Sequence, residues 1–225
     1  MNQQQKWGKE YLSDHGVPTT TRTTPSLSVV NGLGFLKKNK LLMGEKVLDL
    51  GSGPGRNAIY LANEGLEVTA VDFIGSALQN LKKKAKALGI DSRIKTVKAP
   101  IGNKLPFENS CFDLALDITS SMSLDDREIL IFEKELRRIL KDSGILIMYI
   151  LSDKDEYMLK YGDITKGFYI SPAAGIVEHC RNDKELRQIF RKWKVLKFDL
   201  KEMEDEYFGK RYTRRLWWVI LRNKK

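Results

Sequence analysis

A chain of 225 residues with 42% hydrophobic side chains has the size and composition of one globular domain with a full core. No run of about eighteen apolar residues is present. The opening MNQQQKWGKEYLSDHG lacks the apolar core of a signal peptide, and two cysteines, Cys111 and Cys180, make neither a disulfide framework nor a clustered metal site. These features exclude membrane-spanning, disulfide-scaffold and thiolate-metal classes, and buried thiols in a reducing cytoplasm are expected. The net charge of +10 is uneven: residues 181–225 hold fifteen basic and seven acidic side chains, a local +8. Such a face can attract nucleic acid, acidic membranes or anionic substrates. The lysines are scattered, however, and no aromatic residues interleave with them as an RNA-binding motif requires, so the surface reads as a solvated one.

In chain order, Trp7, Tyr11 and His15 sit four apart, on one side of a short helix. The polar, β-branched stretch TTTRTTPSLS (19–28) reads as an extended connector. Ser26 is placed to cap a helix running through Phe35 and Leu36. KVLDL (46–50) reads as a buried strand, 57–64 as a helix and LEVTAV (66–71) as a strand. Residues 74–88 are a patterned helix stopped by Gly89. RIKTVKA (93–99) and CFDLALDI (111–118) are strands, and 124–141 is a long helix with Ser123 or Asp125 near its start. GILIMYIL (144–151), apolar throughout, is a central strand. Strands alternating with helices predict a parallel sheet with right-handed crossovers. Residues 152–180 have weak periodicity. A helix DKELRQIFRKW (183–193), capped by Asn182 or Asp183, then precedes two strands, KVLKFDLKE (194–202) and RRLWWVILR (214–222), which are predicted to pair antiparallel across a polar connection.

The segment LGSGPGRNAIYL turns the first strand sharply into a helix on Gly51, Gly53 and Gly55. In an open α/β sheet, ligands bind at the carboxyl ends of the strands, at the topological switch point. Asp49 ends the first strand and Asp72 the second, about twenty residues after the first glycine, where an acid accepts both hydroxyls of a ribose. A dinucleotide loop reads G-x-G-x-x-G; here the third glycine falls one place early and Arg56 occupies its position. No Lys-Ser/Thr pair marks a triphosphate loop. Asp49 disfavours a polyphosphate beside it and suits an amino group. A nicotinamide dehydrogenase is therefore the least favoured reading.

The stretch VLDLGSGPGRNAIYLANEGLEVTAVDFIGSAL resembles motif I and the following acidic strand end of class I S-adenosylmethionine-dependent methyltransferases. LPFENSCFDLALD resembles the approach to that family's fourth strand, and ELRRILKDSGILIMYI its helix–turn–fifth-strand element. The resemblance covers residues 46–151 and implies a Rossmann-like α/β fold: a seven-stranded, mostly parallel sheet with an antiparallel last strand and helices on both faces. It implies S-adenosylmethionine as cofactor, with S-adenosylhomocysteine as product. Gly51, Ser52 and Gly53 would pass under the methionine part and Asp49 would hold its ammonium group. Asp72 would bind the ribose, and Phe73 or Ile74 would pack on the adenine. Arg56 and Asn57 at the helix start, Pro100 and Ile101 after the third strand, and Asp117 and Ile118 through Thr119 after the fourth would complete the cofactor site. Many members carry an acid before LPF that contacts the adenine amine; the aligned position here is Ile101, followed by Gly102, which removes one hydrogen bond, about 0.5–1.5 kcal/mol.

EHCRNDKELRQIFRKWKVLKFD is similar to the corresponding part of small-molecule methyltransferases, including the tellurite-resistance type. His179 in that stretch is a candidate general base, and Tyr11 and His15 are the other catalytic candidates. Tyr157, Tyr161, Phe168 and Tyr169 form either an acceptor pocket or a local core. Trp217 and Trp218 alternate to opposite faces of the last strand. Asp117, Asp125 and Asp126 lack the spacing and histidine partners of a metal site. The expected organisation is one domain, 1–225: a helical cap (1–45), a cofactor core (46–151), a lid and acceptor segment (152–181), and a helix with a β-hairpin (182–225). The expected activity is methyl transfer to N or O of a small molecule. Alternatives are an RNA or ribosomal-protein methyltransferase and a non-catalytic S-adenosylmethionine-binding protein. The sequence does not set the oligomeric state.

Overall fold

The computed structural model describes residues 2–11, 21–163, 167–171, 175–207 and 209–225. Helix α1 (Gln3–Glu10) and helix α2 (Leu27–Lys38) precede the first strand. Then come β1 (Lys46–Leu50), α3 (Arg56–Asn63), β2 (Glu67–Asp72), α4 (Gly75–Ala87), β3 (Ile94–Lys98), β4 (Phe112–Ile118), α5 (Asp126–Ile139) and β5 (Leu140–Leu151). The last third holds α6 (Glu156–Tyr161), β6 (Gly162–Asp163), β7 (Phe168–Ile170), β8 (Val177–His179), α7 (Asp183–Ile189), β9 (Lys194–Tyr207) and β10 (Lys210–Arg222).

Among the described residues, seven strands form one sheet in the order β3-β2-β1-β4-β5-β10-β9. β1 pairs parallel with β2 and β4, β2 with β3, and β4 with β5; β10 runs antiparallel to both β5 and β9. This is the sheet the alternating strands and helices predict. Strand order reverses between β1 and β4, so right-handed crossovers carry the helices of the two halves to opposite faces and leave a cleft at that point. Every residue of β4 and residues 144–151 of β5 are buried, because helices cover these central strands on both sides. Asp125 is the N-cap of α5: its carboxylate accepts from the Arg127 and Glu128 amides while the Glu128 side chain returns a bond to the Asp125 amide.

Four elements depart from the sequence reading. Ser26 is the N-cap of α2, but its hydroxyl pairs with Ser28 Oγ at 2.7 Å and makes no capping bond. The helix expected over 183–193 stops at Ile189, and Trp193 instead donates its indole N–H to Glu133 of α5 at 2.8 Å. The polar connection between the last two strands is itself strand, with β9 running to Tyr207 and β10 starting at Lys210. Its polar residues fit because β9 is an edge, where charges point to water and pair across the ladder. Arg215 Nε lies 2.7 Å from Glu202 Oε2 and Thr213 Oγ1 2.9 Å from Glu204 Oε1, both registered partners. Finally, the weakly periodic segment after β5 contains α6 and a small antiparallel sheet, β6-β7-β8.

Candidate functional site

The loops that leave β1, β2, β3 and β4 at their carboxyl ends enclose a cavity of about 300 Å³ beneath α1. Its wall at one end is the glycine loop, 51–54, with Arg56, Asn57 and Ser120; at the other it is Phe73, Pro100, Ile101, Gly102 and Glu128. Gly51 has φ +64°, and a Cβ there would collide with Ser120, so a glycine is what lets the β1 and β4 loops touch. Gly55 is the left-handed N-cap of α3, φ +87°, where a Cβ would collide with Leu81 of α4. The early third glycine thus serves helix packing.

Asp72 is buried at the end of β2. Its Oδ2 accepts from the Gly53 amide and its Oδ1 from the Ile74 amide, each at 2.8 Å. It therefore fixes the glycine loop and borders the cavity at once. Asp49 is 2% exposed, lies behind the cavity wall without lining it, and its Oδ2 has no hydrogen-bond partner; Ser52, which does line the wall, is 9% exposed and its Oγ is unpartnered too. Burial above all, opposed by Arg56 and reinforced by Asp72, pushes Asp49 up to about 7. An acceptor-only oxygen and a hydroxyl, buried and unpaired, fit a ligand ammonium and its neighbouring polar atoms.

The remaining candidates divide. Arg56, Asn57, Phe73, Pro100, Ile101 and Ile118 line the cavity, whereas Ile74 caps α4 and lies under Gly8 of α1. Asn57 Oδ1 also accepts from the Ser26 amide at 2.9 Å, which holds the connector to α2. Asp117 is fully buried and turned into its own loop: Oδ1 accepts from the Ser121 amide at 2.9 Å and Oδ2 from the Ser121 hydroxyl. It shapes the turn after β4, and Ile118, Thr119 and Ser120 form the wall in its stead. Thr119 holds φ +60°, a conformation a β-branched residue rarely adopts and one that clusters at active sites.

Tyr11 follows α1 and enters the cavity with Trp7, its hydroxyl 2.8 Å from where a Cβ on Gly53 would stand. Burial first, then the nearby Asp72, pushes its phenol far up, so it stays protonated. His15 lies outside the described residues. His179 packs beside Phe168, with ring centres 5.8 Å apart, and borders neither this cavity nor its neighbour. Strand alternation explains why: in β8 it is Glu178, the preceding residue, that is turned inward.

Glu178 faces a second cavity, of about 710 Å³, which shares Arg56, Ile118 and Thr119 with the first. Its lining is mixed: Tyr149, Tyr169, Tyr207, Trp218, Met122 and Leu216 supply aromatic and apolar surface, and Arg22, Arg56, Lys201, Arg214, Glu178, Glu202 and Asp205 supply charge. Glu178 is 6% exposed and accepts a hydrogen bond from the Tyr169 hydroxyl. Burial, the largest cause, raises its carboxyl to about 7, with Arg214 pulling the other way. Of the tyrosines named from sequence, Tyr169 reaches this space. Tyr157 instead centres a local core, with ring centres 4.7 Å from Tyr161 and 5.0 Å from Tyr212. Sequence reasoning missed Glu178, Tyr149, Tyr207 and Trp218. The alternation of Val177–Glu178–His179 was the available signal for the first, and the single hydroxyl in the apolar run of β5 for the second. Among the described residues no group of three or more His, Cys, Asp or Glu side chains is arranged to hold a metal ion.

Residues 47–144 match the family described as a methyltransferase domain. A sterol 4-C-methyltransferase of Caenorhabditis elegans is 28% identical over 170 residues, 75% of this chain and 50% of its own length. The chain spans about half the length of the curated relatives it matches. A solved S-adenosylmethionine-dependent methyltransferase of Methanosarcina mazei superposes with a TM-score of 0.70 at 22% identity, over 84% of this chain and 97% of that one. The 1,6-didemethyltoxoflavin-N1-methyltransferase of Burkholderia thailandensis, solved with its substrate and S-adenosylhomocysteine, gives 0.69 at 16% identity, over 99% and 87%. Residues 47–144 therefore match a methyltransferase domain, and the fold around them is the one these S-adenosylmethionine-dependent methyltransferases share.

Proposed function

We propose that the chain moves a methyl group from S-adenosylmethionine to a nitrogen or oxygen of a small molecule held in the second cavity. One observation carries this reading: the two cavities meet at Arg56, Ile118 and Thr119, so a ligand in each brings the two together at one wall. When bound, S-adenosylmethionine supplies an electrophilic methyl carbon with a good, neutral leaving group. Asp49 and Ser52 would hold the methionine end and Asp72 the ribose, while Arg56 lines both cavities. The cofactor would give its methyl group to the acceptor heteroatom with the sulfur as leaving group, and alignment of the two in a water-poor chamber would supply much of the acceleration. A proton on the acceptor passes to Glu178. The mixed lining suits a compact, partly apolar acceptor.

Two measurements test the cofactor seat. Isothermal titration with S-adenosylhomocysteine is expected to give micromolar binding that Asp72→Ala weakens at least tenfold; equal affinity in a folded variant contradicts the ribose role. Affinity is also expected to rise about eightfold between pH 6 and pH 7.5, because a carboxyl near 7 must lose its proton to accept an ammonium. Arg56, Asp72 and Asp117 are the charged groups that bear on it. Asp49→Asn is expected to flatten the profile. Transfer of a labelled methyl group from S-adenosylmethionine into fractions of a metabolite extract tests the acceptor class. Label in RNA, with steep salt dependence, overturns the small-molecule part, and binding without transfer to any fraction overturns the enzyme reading.

A further inference from the structure

The end of the cofactor cavity away from the glycine loop is almost bare of polar side chains. Phe73, Pro100, Ile101 and Leu124 are apolar, and Gly102 has no side chain. The amides of α1 that border it are already engaged: Gln4 Nε2 donates to the Phe73 carbonyl at 3.0 Å, and Gln3 exchanges two bonds with Val177. One ionisable side chain remains at this end, that of Glu128, in the first turn of α5. Its Oε2 accepts from the Asp125 amide at 3.0 Å, which pins the carboxylate. A Cβ on Gly102 would stand 3.1 Å from Glu128 Cβ and 3.3 Å from its Cδ. The space a side chain at position 102 would need is thus shared by Glu128 and by Leu124, whose Cδ2 would stand 3.0 Å away.

Asp72 marks where the ribose sits, so the base attached to it reaches this end of the cavity. Adenine presents an amine that donates hydrogen bonds, and a carboxylate only accepts them. We propose that Glu128, delivered from α5 across the bare backbone of Gly102, reads the exocyclic amine of the adenine and sets the preference for an adenine nucleoside. The inference rests on the reading of this cavity as the S-adenosylmethionine site.

The test compares S-adenosylhomocysteine with S-inosylhomocysteine, in which a carbonyl oxygen replaces the amine, by isothermal titration of wild-type protein and Glu128→Gln. Glutamine keeps the capping bond to Asp125, and its amide can turn either to accept from the amine or to donate to the carbonyl. Wild-type protein is expected to prefer the adenine compound at least tenfold, and Glu128→Gln is expected to bring the two within threefold of each other. An unchanged preference in the variant, or no preference in wild-type protein, overturns the role of Glu128. If folded wild-type protein binds neither compound, the assignment of the cavity fails first and this inference falls with it. Thermal unfolding of the variant, expected at the wild-type temperature, shows that a changed preference reflects the ligand contact.

Discussion

Replacing Glu178 by glutamine is expected to slow methyl transfer by about 10²–10⁴ at neutral pH, while S-adenosylhomocysteine binds as it does to wild-type protein. The asymmetry follows from placement: Glu178 borders the acceptor chamber and is absent from the wall of the cofactor cavity. Its position in β8, between Val177 and His179, turns it inward, and the Tyr169 hydroxyl holds it there. Burial is the main cause of its raised pKa of about 7; Asp155 and Glu10 add to it and Arg214 opposes it. A carboxyl in that range is half ionised where the cell works, which is where a general base is most effective. The base acts deprotonated, so with S-adenosylmethionine held saturating, which removes the Asp49 limb in binding, the wild-type rate is expected to fall as pH drops below about 7, and the glutamine variant to lose that limb. Labelled-methyl transfer to the acceptor fraction, followed from pH 5.5 to 8.5, reads both effects. A variant that keeps the wild-type rate and limb contradicts the base role of Glu178.

Asp155→Ala is expected to lower stability by about 3–5 kcal/mol, the usual result of stripping one partner from a buried ion pair. Asp155 is wholly inaccessible and Arg214 is 3% exposed. Asp155 Oδ2 accepts from Arg214 Nε at 2.7 Å and from the Arg215 amide at 2.9 Å, while Oδ1 caps α6 through the Met158 amide at 3.0 Å. One carboxylate therefore ties α6 to β10. Without it, the guanidinium lies against the Tyr207 ring, 4.2 Å from its centre, with a buried charge and no carboxylate bonded to it. In a domain of this size each kcal/mol moves the midpoint of thermal unfolding about 2–4 °C, so a fall of about 10 °C is expected in a calorimetric scan. Asp155→Ala with Arg214→Leu is expected to recover most of the loss, because the stranded charge goes too. A fall below 2 °C in the single variant contradicts the argument.

The parallel sheet was legible because each βα unit announces itself: KVLDL and LEVTAV are short apolar runs, each with an acid at its carboxyl end, followed by a helical period. Asp72, Gly51 and Gly53 were legible for the same reason, since their spacing alone sets them at the mouth of one strand pair. Asp117 misled because an acid at a strand end can serve a ligand or its own turn. The choice was made by Ser120 and Ser121, whose amides compete for it. The second cavity was illegible for a different reason. Arg22 before α2, Asn31 within it, Glu178 on β8 and Trp218 on β10 meet only through tertiary packing, and no local period links them. The long hairpin was hidden because an edge strand tolerates the charges that usually mark a loop.

The two walls come from different parts of the chain. The glycine loop and adenine rim come from 51–128, inside the segment that matches the methyltransferase domain, 47–144. The acceptor chamber draws mostly on residues on either side of that segment, from Arg22 to Asn31 and from Tyr149 to Trp218, and only Arg56, Ile118, Thr119 and Met122 come from within it. On the proposed function, substitutions in the flanks are expected to change the acceptor while the glycine-loop wall stays intact.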